Sequence, residues 1–330
     1  MRYFVTGATG FIGGRLSKRL VESGHQVVAL VRSPRKGGHL EKMGVLVTQG
    51  DITDKESLRI PMSGVDGIFH VAGWYKVGVR DKSSAEKINV DGTRNVLEVM
   101  NELGIKKGVY TSSLAVFSDT KGRRVDESYR YEGTHLSEYD RTKWLAHYRV
   151  AQPMMDQGLP LVIVLPGVVY GPGDTSSLGR SLKKYLRGKL PLLPTETAFC
   201  WTHVDDVVQG HILAMEKGQP GESYSLAGPP HTLEEAFRMA ERITAVKAPG
   251  IRLSPGVLRF LSKIMAAVEP FVPLPEDYSS EGLRVVAGVT YLATNEKAKR
   301  ELGYTLRPLE AGLRETLATM TAELNSSRAD

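Results

Sequence analysis

Short apolar runs alternate with helix-period segments through the first two thirds of this chain. Arg2-Tyr3-Phe4-Val5, Val27 to Val31, Val45 to Val47, Ile68 to Val71, the stretch within Lys107 to Ser112, and Leu161 to Leu165 are each too short for a helix and are bounded by turn formers. They predict six strands. Between them, Gly14 to Val21, Glu86 to Leu103 and Glu138 to Met155 carry apolar residues at helical spacing, with Pro153 expected to kink or end the last. Strand and helix in strict alternation predict an α/β chain built on a doubly wound parallel sheet covered on both faces. Ligands of such sheets lie beyond the carboxyl ends of the strands, so the residues following each strand are the candidates for chemistry.

The remaining segments, 171–200 and 228–330, read as a smaller, mostly helical substrate lobe, which leaves 1–170 plus 201–227 to the sheet domain. Within Pro255 to Pro275 the residues Val257, Leu258, Leu261, Ile264, Met265 and Val268 form one helix face, closed by Pro270. That face is either the wall of an apolar site or a packing or dimer contact. The chain has 330 residues, 41% hydrophobic and 24% charged, which suits a globular enzyme with a sizeable core. Its net charge of +6 is scattered, favouring a phosphate-bearing small molecule over nucleic acid. Cys200 is the lone cysteine, which leaves no internal disulfide and fits a reducing compartment. The longest apolar run, Leu159 to Tyr170, is interrupted by Pro160 and Pro166 and is too short to span a bilayer. No leader-like stretch opens the chain, so a cytoplasmic location is expected. The histidines are dispersed, and no metal site is expected.

The first strand runs into Thr6-Gly7-Ala8-Thr9-Gly10-Phe11-Ile12-Gly13 and then a helix. Gly7, Gly10 and Gly13 allow close backbone approach, and the helix start, with Thr9, Phe11 and Ile12, offers N–H groups to a dinucleotide pyrophosphate. The plain alternative is a tight turn. Arg32 follows the second strand, with Arg35 and Lys36 behind it, where NAD binders usually carry an acid for the ribose 2′-hydroxyl. A guanidinium suits a 2′-phosphate, so NADP(H) is expected over NAD(H). After the third strand, Asp51 could accept from an adenine amino group while Ile52 packs its ring; Asp51 or Thr53 could instead, or as well, cap the next helix. Val71, Ala72 and Gly73 are small enough for a cofactor to pass, and Trp74 and Tyr75 could line a substrate pocket. His70 reads as a packed core histidine. Thr111, Ser112 and Ser113 close the fifth strand. Tyr139 and Lys143 share a helix face, where the ammonium is expected to favour the phenolate and tune the phenol for proton transfer.

Taken in order with Asn89-Val90-Asp91-Gly92-Thr93, Leu165 to Asp174 and His203-Val204-Asp205-Asp206-Val207, these stretches resemble the extended short-chain dehydrogenase/reductase family, of NAD-dependent epimerase/dehydratase type. The likeness covers residues 1 to about 230. It implies a Rossmann-type fold, with Ser113 on the substrate oxygen, Tyr139 as proton donor or acceptor, Lys143 on the nicotinamide ribose, and Asn89 in support. It also implies Pro166, Gly167, Val168 and Val169 beside the nicotinamide, a helix start at Asp205/Asp206, and a possible homodimer through the helices Glu86–Leu103 and Glu138–Met155. Members acting on sugar nucleotides tend to carry arginines where this chain has Leu165 and Phe199-Cys200-Trp201. Arg180, Lys183, Lys184, Arg187 and Lys189 could meet a diphosphate or form a solvated face. The closer likeness is to dihydroflavonol-reductase-like and hopanoid-associated epimerase-like members. The implied activity is a reductase of a ketone or aldehyde (or the reverse) on a fairly apolar small molecule. The alternatives are an epimerase or dehydratase of a sugar or sugar nucleotide, and a cofactor-sensing binding protein.

Overall fold

The computed structural model describes residues 1–326. Its centre is a parallel sheet containing the six expected strands, β1 (Arg2–Thr6), β2 (Gln26–Val31), β3 (Leu46–Gln49), β4 (Gly67–His70), β5 (Gly108–Thr111) and β6 (Leu161–Pro166). A seventh, Ser223–Leu226, pairs with β6 and sets the order Ser223–Leu226, β6, β5, β4, β1, β2, β3. Phe4 is therefore flanked by Val28 and Ile68, in the middle of the sheet.

Alternate residues of each strand feed opposite faces. Tyr3, Val5, Val27, Ala29, Val109, Val162 and Val164 pack with Leu16 and Leu20 of the helix α1 (Phe11–Glu22) and with the helix Val204–Lys217. Phe4, Val28, Ile68, Tyr110, Leu161 and Ile163 pack on the other side with Val96, Met100, Ala146 and Val150. Each fully buried valine, leucine, isoleucine, methionine or phenylalanine among them contributes about 1.5–3 kcal/mol. The fold is a Rossmann-like doubly wound sheet.

The two long helices on the second face are each interrupted by a π-helical turn, at Lys87–Asp91 and at Ala146–Ala151. Pro153 does not end the second helix, which continues as Gln152–Asp156. Proline costs a helix because it lacks the N–H for the i−4 bond. Here it lies in the first turn after a segment already bonded at wider spacing, so that requirement is relaxed.

The lobe holds the helices Ser177–Leu186, Leu233–Thr244 and Leu309–Ser326 around Tyr170, Leu182, Tyr185, Trp201, Phe237 and Leu313. It also contains small sheets. The strand Ala198–His203 pairs with Val168–Tyr170, Pro230–Thr232 and Thr290–Tyr291, so it runs across the boundary expected at 200/201. Conversely, Ala298 and Leu302 of the helix Glu296–Leu302 pack against the central sheet. The helix Pro255–Val268 forms, but its expected apolar face is split. Leu258 is buried against Leu283 and Ala287, while Val257 and Ile264 are exposed. The helix leans on the lobe along one side only. Among the described residues no helix is long and apolar enough to cross a membrane.

Candidate active site

The candidate residues converge at the carboxyl end of the sheet. Strand β1 ends at Thr6, and Gly7 turns the chain at φ +73°. A Cβ at Gly7 would lie 2.7 Å from the Ala72 nitrogen, and one at Gly13 would lie 2.3 Å from the Gly7 oxygen. Only glycine fits this junction. Gly10 caps α1 without a side chain, and its own N–H bonds the Gly7 carbonyl at 2.9 Å. The N–H groups at Phe11, Ile12 and Gly13 therefore start the helix with no side-chain acceptor on them, the arrangement that receives a phosphate. Thr9 is exposed beside them. A Cβ at Gly73 would lie 3.3 Å from the Asn89 side-chain oxygen and 4.0 Å from Lys143 Nζ, so the bare glycine keeps that approach open. These features fit a dinucleotide.

Asp51 does not cap the next helix; its carboxylate accepts from the N–H and hydroxyl of Thr53 at 2.9 and 3.0 Å. The following helix starts at Glu56, with Lys55 before it. Ile52 is buried with Val90 and Val96, and so sits mainly in the core beneath the site. Arg32, Arg35 and Lys36 end β2 as an exposed basic turn. Among the described residues none of the three has an acidic partner in ion-pair range.

His70 is a buried core histidine, as expected. It bonds Thr6 at 2.8 Å and Thr93 at 3.0 Å, and burial pushes it down to about 3, so it is neutral. The Thr6 hydroxyl in turn accepts from the N–H groups of Val71 and Ala72, both at 3.1 Å, which fixes that stretch of backbone. Asn89 clamps the Trp74 backbone in both directions, at 2.7 and 2.9 Å, and donates to Thr142 at 2.9 Å. Trp74 is buried, so only Tyr75 of the two aromatics presents a free face. The side chains of Thr111 and Ser112 turn into the core, onto His211 at 2.8 Å and His147 at 2.9 Å. At these two positions the backbone is what remains for a ligand. At β6 the chain passes Pro166, Gly167, Val168 and Val169 at the same end of the sheet, and a Cβ at Gly167 would lie 2.1 Å from the Cys200 carbonyl oxygen.

Ser137 caps the helix Glu138–Leu145, which carries Tyr139 and Lys143. Ser113 lies beside the Tyr139 phenol, and its hydroxyl accepts from the Ala115 N–H at 3.1 Å. Lys143 is buried. Its Nζ donates to the Thr111 carbonyl at 2.7 Å and to the Tyr110 hydroxyl at 3.2 Å, and lies 4.8 Å from the Tyr110 ring centre. Burial pushes this amine down to about 7. The expectation that it would lower the Tyr139 phenol is reversed: burial raises that phenol to about 12, the neighbouring Ser113 hydroxyl pulls against this, and the Asp140 carboxylate adds to it. The physical reason is desolvation, which disfavours both ions at once.

Two features here carried no signal in the sequence. Asp140 is buried, accepts from the Tyr291 hydroxyl at 3.0 Å, and is pushed up to about 7. Glu281, from the lobe, accepts from Glu138 N at 2.5 Å and Gly78 N at 2.7 Å and pairs with Lys82 at 3.2 Å. It ties the start of the helix carrying Tyr139, the loop after β4 and the lobe together. A third grouping, His203, Asp205 and Glu315, brings potential ligand atoms within 4.8 Å of one another. Arg15 and Arg307 already pair with its two carboxylates, each at 2.9 Å.

The sequence profile of the NAD dependent epimerase/dehydratase family matches residues 3–227. A putative dihydroflavonol 4-reductase of Synechocystis sp. is 34% identical over 75% of this chain and 74% of its own length. A 2-alkyl-3-oxoalkanoate reductase of Stenotrophomonas maltophilia is 30% identical over 98% of this chain and all of its own. Among solved structures, that of gox2253 superposes with a TM-score of 0.85 at 30% identity, covering 97% of this chain and 98% of that one. The UDP-glucose 4-epimerase of Thermus thermophilus in complex with NAD has a TM-score of 0.75 at 22% identity, over 97% and 99%, and shares the fold.

Proposed function

This chain belongs to the NAD-dependent epimerase/dehydratase family, as an oxidoreductase of the extended short-chain dehydrogenase/reductase type, and on that premise we propose that it is an NADPH-dependent reductase of a ketone or aldehyde on a fairly apolar small molecule. The observation that carries this reading is the Tyr139 phenol beside the Ser113 hydroxyl, with buried Lys143 one helical turn on. The nicotinamide, when bound, supplies the hydride. Tyr139, protonated at neutral pH, gives its proton to the carbonyl oxygen that Ser113 orients. Lys143, anchored on the Thr111 carbonyl, faces the Gly73 opening, where it would hold the ribose and favour the phenolate left behind. The glycine turn and α1 would hold the pyrophosphate, and Arg32 the 2′-phosphate.

Two observations favour an apolar substrate over a sugar nucleotide. Of the five cations that could meet a diphosphate, Arg180, Lys183 and Lys184 are paired with Glu276, Glu323 and Asp277. Leu165 is buried, and Phe199 stacks on Tyr291, 5.7 Å between ring centres, where sugar-nucleotide members tend to place arginines. The named reductases among the relatives support the same choice. The test is NADPH oxidation against a panel of apolar ketones and aldehydes. A reductase consumes one NADPH per product; an epimerase leaves the nicotinamide absorbance unchanged. Tyr139→Phe should lower turnover by about 10²–10⁴ while cofactor still binds. Equal turnover by that variant removes Tyr139 from the proton transfer.

A further inference from the structure

The exposed large apolar side chains of the lobe are concentrated on one feature, the helix Pro255–Val268 and the turn after it. Val257, Phe260 and Ile264 fall at i, i+3 and i+7 and so share a helix face. Phe260 is 64% exposed, and Phe271, in the turn, is 85% exposed with Val272 beside it. Leu258 and Ser262 point the other way and anchor the helix, Leu258 on Leu283 and Ser262 by a 2.7 Å bond to the Ser280 carbonyl. A contiguous apolar stripe of this kind on a firmly anchored helix marks an interaction surface.

Charge selects the occupant. The helix contains Arg259 and Lys263 and no acidic residue. Both are exposed and follow one edge of the apolar stripe, Arg259 with its guanidinium on the Ala287 carbonyl at 3.0 Å and Lys263 without an acidic partner among the described residues. Glu269, just past the helix end, is turned inward onto the N–H and hydroxyl of Ser280. Glu276 and Asp277 are held by Arg180 and Lys184. The face is thus apolar and cationic. No acidic side chain is present on this helix to meet the cations of a second copy. An apolar face edged by lysine and arginine instead matches an anionic bilayer, which receives aromatic side chains to a depth of roughly 5–10 Å and attracts the cations to its headgroups.

We propose that the helix Pro255–Val268 and the Phe271–Val272 turn dock this protein on an anionic lipid surface, lying in the interface plane without crossing it. The surface adjoins the site. The Arg80 guanidinium bonds the Pro270 carbonyl at 3.4 Å, so the loop that leaves β4 through Trp74 and Tyr75 ends against the docking turn. An apolar substrate dissolved in the bilayer would then meet the protein at the side where that loop lies.

The experiment is co-sedimentation of the full chain with vesicles of phosphatidylcholine alone and of equimolar phosphatidylcholine and phosphatidylglycerol. The parent chain should bind the mixed vesicles more tightly, and less so as salt rises. The double variant Phe260→Ser/Phe271→Ser should weaken that binding about tenfold or more, with thermal unfolding reporting that it is folded. Lys263→Glu should weaken binding to the mixed vesicles and leave the neutral ones unchanged. Absence of parental binding to mixed vesicles overturns the proposal, as does unchanged binding by the folded double variant. A parental dimer in sedimentation that the double variant converts to monomer also overturns it, by assigning the face to a second copy.

Discussion

Replacing Lys143 by Met should make the protein inactive and, at low pH, more stable. Burial takes the Lys143 ammonium from its ordinary 10.5 down to about 7. At ~1.4 kcal/mol per tenfold in proton affinity, the fold opposes the charged amine by roughly 5 kcal/mol. Against this stand the bonds to the Thr111 carbonyl and the Tyr110 hydroxyl, together about 2–4 kcal/mol for a charged donor. Met fills similar volume without the charge, so Lys143→Met should gain ~1–3 kcal/mol at pH 6. The pH dependence follows from proton counts. Between about 7 and 10.5 the unfolded chain holds the proton and the folded chain has released it, so parental stability rises with pH across that window. Below it the opposition is full. The gain of the variant should therefore shrink towards zero by pH 9. Urea unfolding of both proteins at pH 6, 7.5 and 9 measures this. A variant destabilised at pH 6, or a gap that stays constant with pH, refutes the reasoning.

Three further outcomes follow from the same geometry. Arg32→Asp should lower the NADPH-to-NADH preference in kcat/KM by about 10–100-fold, the worth of one or two charge-assisted bonds; an unchanged ratio assigns the 2′-phosphate elsewhere. Glu281→Gln keeps one acceptor but sets an amide N–H against a backbone N–H, so unfolding should be easier by about 2 kcal/mol. Because Glu138 precedes Tyr139, kcat should fall more than KM rises, and a purely thermal effect with unchanged kcat counts against a positioning role. Asp140 is pushed up to about 7, so the folded chain holds a proton that the unfolded chain loses above 3.8, and stability falls as pH rises between those values. Asp140→Asn should flatten that fall in a pH series of thermal unfolding, and a parallel decline in both proteins refutes it.

The strands were legible because each is a short apolar run stopped by turn formers, as at Val31 before Arg32-Ser33-Pro34, and all but the edge strand β3 are buried along most of their length. The glycine turn was legible for a related reason: Gly7 and Gly13 sit where a methyl group would strike backbone. The π-helical turns were not, because one wider turn barely disturbs a hydrophobic period. Thr111 and Ser112 lie in the right stretch, yet nothing in sequence says that their hydroxyls meet His211 and His147. Glu281 and Tyr291 lie 143 and 151 residues from their partners Glu138 and Asp140, and only the packed lobe brings them there. The direction of the Tyr139 shift was misread because spacing reports neighbours but not the water they have lost.

The strand order has a bearing on how the chain is made. Strands β1, β2 and β3 are neighbours in both sequence and space, so this half of the sheet can zip while the rest is still on the ribosome. The other half grows through β4 and β5 to β6, which then waits with a bare row of N–H and C=O groups until Ser223–Leu226 is synthesised. A stall or truncation inside the intervening segment would leave a long apolar template open to other chains, a hazard that the finished molecule conceals.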